Sequence, residues 1–338
     1  MSSLSGPAPA PAGEPPALEL SGDAPLLLTG ASGWFGRTAL AVLERRLGPE
    51  ALRQHLIAYA SSAREVDFGS PLGPLLVRPL EEIVEAPRPA GLLHLAFLTR
   101  DRLAEVGLET YVRSNRSITA RVAALLRRWP GCPVVTTSSG AAASLDGRAA
   151  DLEGNPYATL KQEEESLLRE LAGADRLAVV LRVYAASGRF MAGPQRFALG
   201  DFLLQAGRGQ TPRLQARRPV WRSYGAVGDI MELAWSLLLD RQRHGMLQLD
   251  ACSHSLSLLE LAQRIAGRFG LPPAHQSLDP DLPEDRYGAD AGPFLEELRR
   301  YGLQPESLEQ QIETTWQGLL EADPSLRNPA RGPQLGSC

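Results

Sequence analysis

The chain has 338 residues, 43% hydrophobic and 22% charged, with a formal net charge of −4. That balance suits one large globular domain or two closely joined ones and lacks the basic footprint of a nucleic-acid binder. The three cysteines, Cys132, Cys252 and Cys338, show no CxxC spacing and no clustered histidines, which argues against a metal site or disulfide framework and for reduced thiols in a cytoplasm. No basic segment followed by an apolar core opens the chain, and no apolar run approaches the ~20 residues of a membrane helix.

Residues 1–24, rich in Pro, Ala, Gly and Ser, are expected to form a disordered leader, and residues 323–338 a loose tail. Between them, short apolar runs at 25–28, 56–59, 75–77, 92–95, 133–136 and 177–181 read as buried parallel strands. Helical stretches separate most of these strands; Leu40, Leu43 and Leu47 share one face, as do Val122, Leu125 and Leu126. The alternation predicts a doubly wound, Rossmann-like α/β sheet over 25–185, with a later strand near 246–250 added to it. Residues 186–322 read as a smaller, mostly helical substrate lobe. There Ser257 and Ser307 stand where helix caps belong, Pro293 suits a first helical turn and Gly302 a helix stop.

The segment Leu26-Leu-Leu-Thr-Gly30-Ala-Ser-Gly33-Trp-Phe-Gly36 follows an apolar strand and opens a helix. Gly30 permits a tight turn, Gly33 lets the backbone approach a pyrophosphate, and Gly36 lets helix and sheet pack closely. The diphosphate would sit on the helix N-terminus, where free amides and the helix dipole favour negative charge. Gly30, Ser32, Gly33, Trp34, Phe35 and Gly36 are therefore candidate cofactor contacts. An acid directly after the second strand would hold the adenosine ribose and repel a 2′-phosphate. The stretch Tyr59-Ala-Ser-Ser-Ala-Arg64 has none, and Ser61, Ser62 and Arg64 suit a 2′-phosphate, so NADP is preferred to NAD; a solvated loop is the alternative.

Tyr157-Ala-Thr-Leu-Lys161 is a YxxxK sequence. On a helix, residues four apart share a face, so the ammonium can sit beside the phenol. A free phenol, with a pKa of ~10, is a poor base at neutral pH. A nearby cation, joined by the positive ring of an oxidised nicotinamide, favours the phenolate and makes proton exchange feasible. By itself the spacing is also common on helix surfaces.

The glycine spacing is GxxGxxG, not GxGxxG, and it resembles the TGxxGxxG of extended short-chain dehydrogenases/reductases, the family of sugar-nucleotide epimerases, dehydratases and reductases. The resemblance covers residues 24–322. It places a YxxxK between the fifth and sixth strands, where Tyr157 and Lys161 fall, and assigns them the acid/base chemistry. Val135-Thr-Thr-Ser138-Ser139-Gly140-Ala141 is similar to the family's SSGAVYG, which makes Ser139 the hydroxyl that hydrogen-bonds the reacting sugar oxygen. Ala142-Ala-Ser144 replaces VYG and the interval from Ser139 to Tyr157 is short, implying altered packing and a trimmed substrate loop. Dehydratases of the family carry an Asp-Glu pair where Gly140 and Ala141 stand, which argues against dehydration. Leu93-His94-Leu95-Ala96 resembles the family's HxA, making Ala96 a cofactor contact and His94 structural. Where the family often has an adenine-contacting aspartate, this chain has Arg78-Pro79-Leu80, with Leu80 as the candidate. Asn115 matches an asparagine near the active-site lysine, or is an ordinary helix-surface residue.

On the substrate side, Leu181-Arg182-Val183-Tyr184 and Gly188 resemble LRxxxxxG, and Phe197-Ala-Leu-Gly-Asp201-Phe202 resembles FAIGNF with an added charge. Trp221-Arg222-Ser-Tyr-Gly-Ala-Val-Gly-Asp229 matches the family's Arg-x-Tyr-x-x-x-x-Asp. There Arg222 would grip the diphosphate through its planar, permanently charged fork, and Asp229 would anchor a helix start. Asp285-Arg286-Tyr287 resembles the family's RYxxD, making Arg286 a second candidate phosphate ligand or a solvated arginine. The resemblance implies a cytoplasmic, NAD(P)-dependent epimerase or ketoreductase of a nucleotide-linked sugar, in surface-polysaccharide or glycoconjugate synthesis. It implies a possible homodimer through the helices that include Tyr157, with no metal, nucleic acid or membrane. The alternatives are an NADPH-dependent reductase of a non-nucleotide carbonyl and a catalytically silent cofactor-binding protein.

Overall fold

Strand β1 (Leu26–Thr29) is buried along its whole length and lies parallel between β2 (Leu56–Ala60) and β5 (Gly91–His94). Its unbroken run of leucines suits that place, because a strand in a parallel sheet is covered on both faces. The computed structural model describes residue 20, residues 22–173 and residues 176–327. The sheet is completed by β3 (Arg64–Val66), β4 (Leu75–Pro79), β6 (Val134–Ser139), β7 (Leu177–Val183) and a strand at Gly245–Ala251, the tenth in chain order, β10. The spatial order is β10-β7-β6-β5-β1-β2-β4-β3, and only β3 runs antiparallel to its neighbour. From β1 the chain builds outward through β2 and β4, then crosses back to lay β5, β6 and β7 on the other side. This reversal opens a crevice at the carboxyl ends of β1 and β5, where such sheets bind ligands.

Helices α1 (Trp34–Leu47) and α2 (Pro49–His55) follow β1; α3 (Leu103–Val106) and α4 (Leu108–Arg128) follow β5; α5 (Gly140–Ala143) and α6 (Pro156–Leu171) follow β6. Farther on come α7 (Ala198–Gly207), α8 (Val227–Leu239), α9 (Leu258–Arg268), α10 (Gly292–Arg300) and α11 (Leu308–Ala322). Leu26 and Leu28 pack with α1, α8 and α10 on one face of the sheet, while Leu27 packs with α4 and α6 on the other. Trp235 on α8 is fully buried and donates its indole N–H to the Ala39 carbonyl of α1 at 2.9 Å. Residues 227–251 and 292–303 thus return to the large sheet after the chain has entered the second lobe.

That lobe has its own core, in which Leu203, Ile265 and Trp316 from α7, α9 and α11 meet. It also holds a four-stranded sheet of β8 (Ala185–Ser187), β9 (Val220–Ala226), β11 (His254–Ser257) and β12 (Asp285–Tyr287), in which β9 is paired with the other strands. Three of these strands are three or four residues long, too short to show a two-residue period, so a mostly helical reading missed them. Strand β6 likewise runs to Ser139, past the apolar stretch, because its polar end faces the crevice. Of the residues read as a leader, only 20 and 22–24 are described, and there Leu20 and Ala24 pack on the core. Within the stretch read as a loose tail, Pro324–Arg327 forms a 3-10 turn with Leu326 buried; residues 328–338 lie outside the described residues. Among the described residues no helix is long and apolar enough to cross a membrane, and no group of three or more His, Cys, Asp or Glu could hold a metal ion.

Candidate active site

Gly30 closes β1 with φ +73°, and a Cβ there would stand 2.7 Å from the Ala96 nitrogen. A Cβ on Gly36 would collide with the Gly30 carbonyl. Both glycines are demanded by the fold. Gly33 is not, since an added Cβ would meet only the Gly30 oxygen, at 3.4 Å. Ser32 and Gly33 are exposed, and Gly33 caps α1 with no side-chain acceptor for the helix's first amides. An open glycine beneath uncapped amides fits a diphosphate. Trp34 sets its ring edge-to-face on Phe35 and Phe197, at 5.6 and 5.7 Å between centroids.

At the end of β2, Arg64 donates to the hydroxyls of Ser61 and Ser62 at 3.1 and 2.7 Å, and all of these residues are exposed. The first acid after β2, Glu65, is next to Arg64 on β3 and so points to the opposite face. Leu80 is buried in the core with Tyr59 and Ile83, and so is placed as a packing residue. Ala96 is half-buried, and its N–H donates to the Thr29 hydroxyl at 3.1 Å, which fixes the strand-end backbone along the crevice. Asn115 is not a surface residue. It is buried, and its amide clamps Leu98, accepting from the N–H at 2.7 Å and donating to the carbonyl at 3.2 Å.

Ser139 ends β6 and caps α5, its Oγ accepting from the Ala141 N–H at 3.1 Å. Tyr157 stands in the first turn of α6, which Pro156 opens and the Asn155 side chain caps. Burial raises the Tyr157 phenol above its ordinary value, and hydrogen bonding with Ser139 opposes that rise. Ser139 also meets the Tyr287 hydroxyl of β12, at 3.2 Å. Three hydroxyls from two lobes therefore converge at the end of β6.

Lys161 lies one turn from Tyr157 but is held elsewhere. Its Nζ donates to the Thr137 carbonyl and to Glu164 Oε2, both at 2.9 Å, and stands 3.9 Å from the centre of the Phe97 ring. Phe97 also meets Tyr157 edge-to-face, at 5.7 Å between centroids. Glu164 is buried, and its Oε1 lies 3.0 Å from His94 Nε2. Burial would raise its carboxyl, but Lys161 and His94 overcome this and hold it down to about 2. Neither Phe97 nor Glu164 was singled out in the sequence. Glu164 sits in a run of three glutamates that reads as a solvated face, and only its three-residue spacing from Lys161 hinted otherwise. The neighbouring Glu165 binds Arg182 of β7 through Nε and Nη2 at 2.9 and 2.7 Å, locking α6 to the sheet.

In the second lobe, Arg222 of β9 donates to Asp285 Oδ2 at 2.9 Å and lies 5.9 Å from the centre of the Tyr287 ring. Arg286 takes the other face of its strand: it pairs with Glu284, stacks on Trp221 and keeps its side chain 60% exposed. The short strand therefore turns Tyr287, not Arg286, toward Ser139. Tyr184 lies over Gly140, where a Cβ would strike its ring, and donates to Asp250 at 3.1 Å. Asp201 bonds Gln205 within α7, and Asp229 accepts the Glu306 N–H at 2.9 Å, tying α8 to the segment before α11.

A doubly wound sheet, a glycine-lined helix N-terminus at its crevice, and a serine–tyrosine pair beside it define a nicotinamide-dependent class of enzyme. Residues 26–246 match the model of the NAD dependent epimerase/dehydratase family, and the chain belongs to that family. It is an NAD(P)-dependent enzyme of the epimerase/oxidoreductase type. The search of curated proteins found no match. Among solved structures the fold is similar to that of MoeE5, described in complex with UDP-glucose and NAD, at 20% identity and TM-score 0.65, covering 88% of this chain and 99% of that one. It is similar to DesIV, a dTDP-glucose 4,6-dehydratase from Streptomyces venezuelae with NAD bound, at 18% identity and TM-score 0.66, covering 90% and 99%. It is also similar to a UDP-glucose-4-epimerase from Stenotrophomonas maltophila with bound NAD, at 20% identity and TM-score 0.67, covering 88% and 99%.

Proposed function

We propose that this chain is an epimerase or ketoreductase of a nucleoside-diphosphate sugar, with Tyr157 exchanging the proton of the reacting oxygen and Ser139 orienting that oxygen. The observation that carries the reading is the convergence of the Ser139 and Tyr157 hydroxyls at the crevice served by the Gly30–Gly36 loop. The nicotinamide, when bound, supplies or accepts hydride at the sugar carbon. The chain's own residues bind its diphosphate at Gly33 and the first amides of α1, and hold the substrate oxygen at Ser139. Gly140 and Ala141 offer no acid or base for eliminating water, so dehydration is not part of the reading.

The cofactor in this reading is NADP, because Arg64, Ser61 and Ser62 gather donors at the end of β2 where the ribose 2′ position would lie. The sugar nucleotide follows from Arg222 and from the ligands of the similar structures, UDP-glucose and a dTDP-sugar pathway enzyme's among them. A cytoplasmic site and a role in surface-polysaccharide or glycoconjugate sugar synthesis belong to the same reading. So does a homodimer through α4 and α6, whose outer groove of ≈ 290 Å³ is lined by Arg116, Thr119, Arg127 and Glu163 among others.

One observation favours a second reading, a reductase of a non-nucleotide carbonyl: Arg222 is already paired with Asp285. The test is thermal-shift and turnover screening against NAD, NADP and a panel of nucleotide sugars, with Tyr157→Phe as control. Nucleotide-sugar turnover that vanishes in the variant while cofactor binding survives supports the first reading. Stabilisation by cofactor but by no nucleotide sugar turns the assignment to the second.

A further inference from the structure

The ammonium of Lys161 has all its proton directions occupied within the protein. Two go to the Thr137 carbonyl and Glu164, at 2.9 Å each, and the third side faces the Phe97 ring. The residue that neutralises it is a carboxylate buried to 2% exposure. Burying a charged pair is costly, and here it is offset by the direct hydrogen bond between the two partners.

A histidine lies behind Glu164. Thr29 Oγ1 accepts two backbone N–H groups, from Leu95 and Ala96 at 3.1 Å each, which fills both of its lone pairs. Its own proton must therefore point to His94 Nδ1, 2.7 Å away. Nδ1 is then an acceptor and Nε2 carries the proton; Nε2 lies 3.0 Å from Glu164 Oε1 but is not aligned to donate a hydrogen bond to it. Glu164 thus faces Lys161 through Oε2 and His94 through Oε1. The Thr136 hydroxyl lies 3.2 Å from the same Oε1 and 2.9 Å from the His94 carbonyl, with one proton for the two.

We propose that Glu164 is a positioning residue that holds and neutralises Lys161, so that Tyr157 serves as a proton donor. The inference rests on the reading of Tyr157 as the acid/base group. It tilts that reading toward the reductive direction, in which the oxygen formed at the substrate carbon must receive a proton. The other groups facing Tyr157 agree. Burial disfavours its phenolate, Glu164 of the same helix adds a negative charge, and Tyr111 of α4 and Tyr287 of β12 bring further phenols. The cation acting on it is the exposed Arg100, before α3, while Ser139 of β6 contributes a neutral hydrogen bond.

The test is a phenolate titration by ultraviolet difference spectroscopy, run on the full chain without substrate, with the Tyr157→Phe spectrum subtracted to isolate Tyr157. In the wild type its titration is expected at or above the ordinary phenol range. A Tyr157 that ionises near neutral pH overturns the proposal. In Glu164→Gln the unmasked ammonium should lower that titration by about one unit, or about tenfold in phenolate at fixed pH. An unmoved titration also overturns it. Glu164→Asp, which keeps the charge, should return it toward the wild type; this variant and the wild-type curve decide the matter where a melt shows the glutamine variant unfolded. These readings need no turnover. Should no nucleotide sugar react while the titration behaves as expected, the proposed function fails and the role of Glu164 stands.

Discussion

Ser139 Oγ and Tyr287 Oη stand 3.2 Å apart, a hydrogen bond that joins the end of the large sheet to the short strand β12 of the second lobe. A substrate oxygen that uses Ser139 must share it with this phenol or displace it. Tyr287→Phe removes the hydroxyl and leaves the ring tilted against that of Tyr184, 5.0 Å away between centroids. Where the phenol holds the Ser139 hydroxyl toward the substrate oxygen, losing that hydrogen bond, worth about 1–1.5 kcal/mol, lowers kcat/KM about tenfold. Steady-state kinetics beside a cofactor titration check this. The fall should come with unchanged cofactor affinity, and an unaltered kcat/KM removes Tyr287 from the site.

The cluster at the end of β2 makes its own prediction. Arg64→Ala takes away the guanidinium that spans Ser61 and Ser62. Charge-assisted hydrogen bonds are worth about 1.5–3 kcal/mol, so NADP binding should weaken by about tenfold or more. NAD, without the 2′-phosphate, should bind as before. Fluorescence titration of both cofactors measures the ratio, and equal losses for the two would leave the stretch as a solvated loop.

Where a residue's role follows from local backbone demand, the sequence was enough to find it. Gly30 and Gly36 announce themselves because only glycine fits their places, and Ser257 and Ser307 because their hydroxyls cap the amides just ahead. Roles set by the meeting of distant segments were hidden. Asn115 matched a helix position near the active-site lysine, but only the fold shows its amide bonded to Leu98, beside the Phe97 that meets Lys161. Arg286 and Tyr287 are adjacent in one motif, and only the pleat of β12 decides which of them faces Ser139. Glu164 lies in a run of three glutamates, and only the fold brings His94 of β5 against it. Phe97 carried no signal at all, since an aromatic after a strand is equally good as packing.

Arg222 tests the sugar-nucleotide assignment most directly. Its partner Asp285 is held below the usual carboxylate range, chiefly by hydrogen bonding to that guanidinium. Both side chains are partly exposed, 25% and 39%, so the pair itself contributes at most about 1 kcal/mol. A diphosphate can therefore compete for the arginine. Arg222→Ala should weaken UDP or dTDP binding by about tenfold or more, whereas Asp285→Asn, which releases the arginine, should tighten it severalfold. Calorimetry with the free nucleoside diphosphates gives both numbers, and an Asp285→Asn variant that binds no better would show that Arg222 does not meet the phosphates.

The last prediction concerns stability. Asp229 is buried at the start of α8, and burial, reinforced by the carboxylate of Glu306, pushes its pKa up to about 8, although the Glu306 N–H it accepts pulls the other way. Glu232 adds further negative charge and Arg45 offsets it. Since the folded chain holds this proton more tightly than the unfolded one, the sign is fixed: its contribution is complete below the ordinary carboxylate value of ~3.9 and is lost as pH rises toward 8. Glu164 acts in the opposite sense, losing its contribution only as pH falls toward about 2. The melting temperature of the wild type should therefore decline from mildly acid to mildly alkaline pH. Asp229→Asn keeps an oxygen for the Glu306 N–H but cannot ionise, so it should flatten that decline and exceed the wild type at alkaline pH. Thermal melts of both proteins across the range measure the two slopes. Equal slopes would locate the pH dependence in another carboxylate, with Glu306, itself raised by burial, the next to replace.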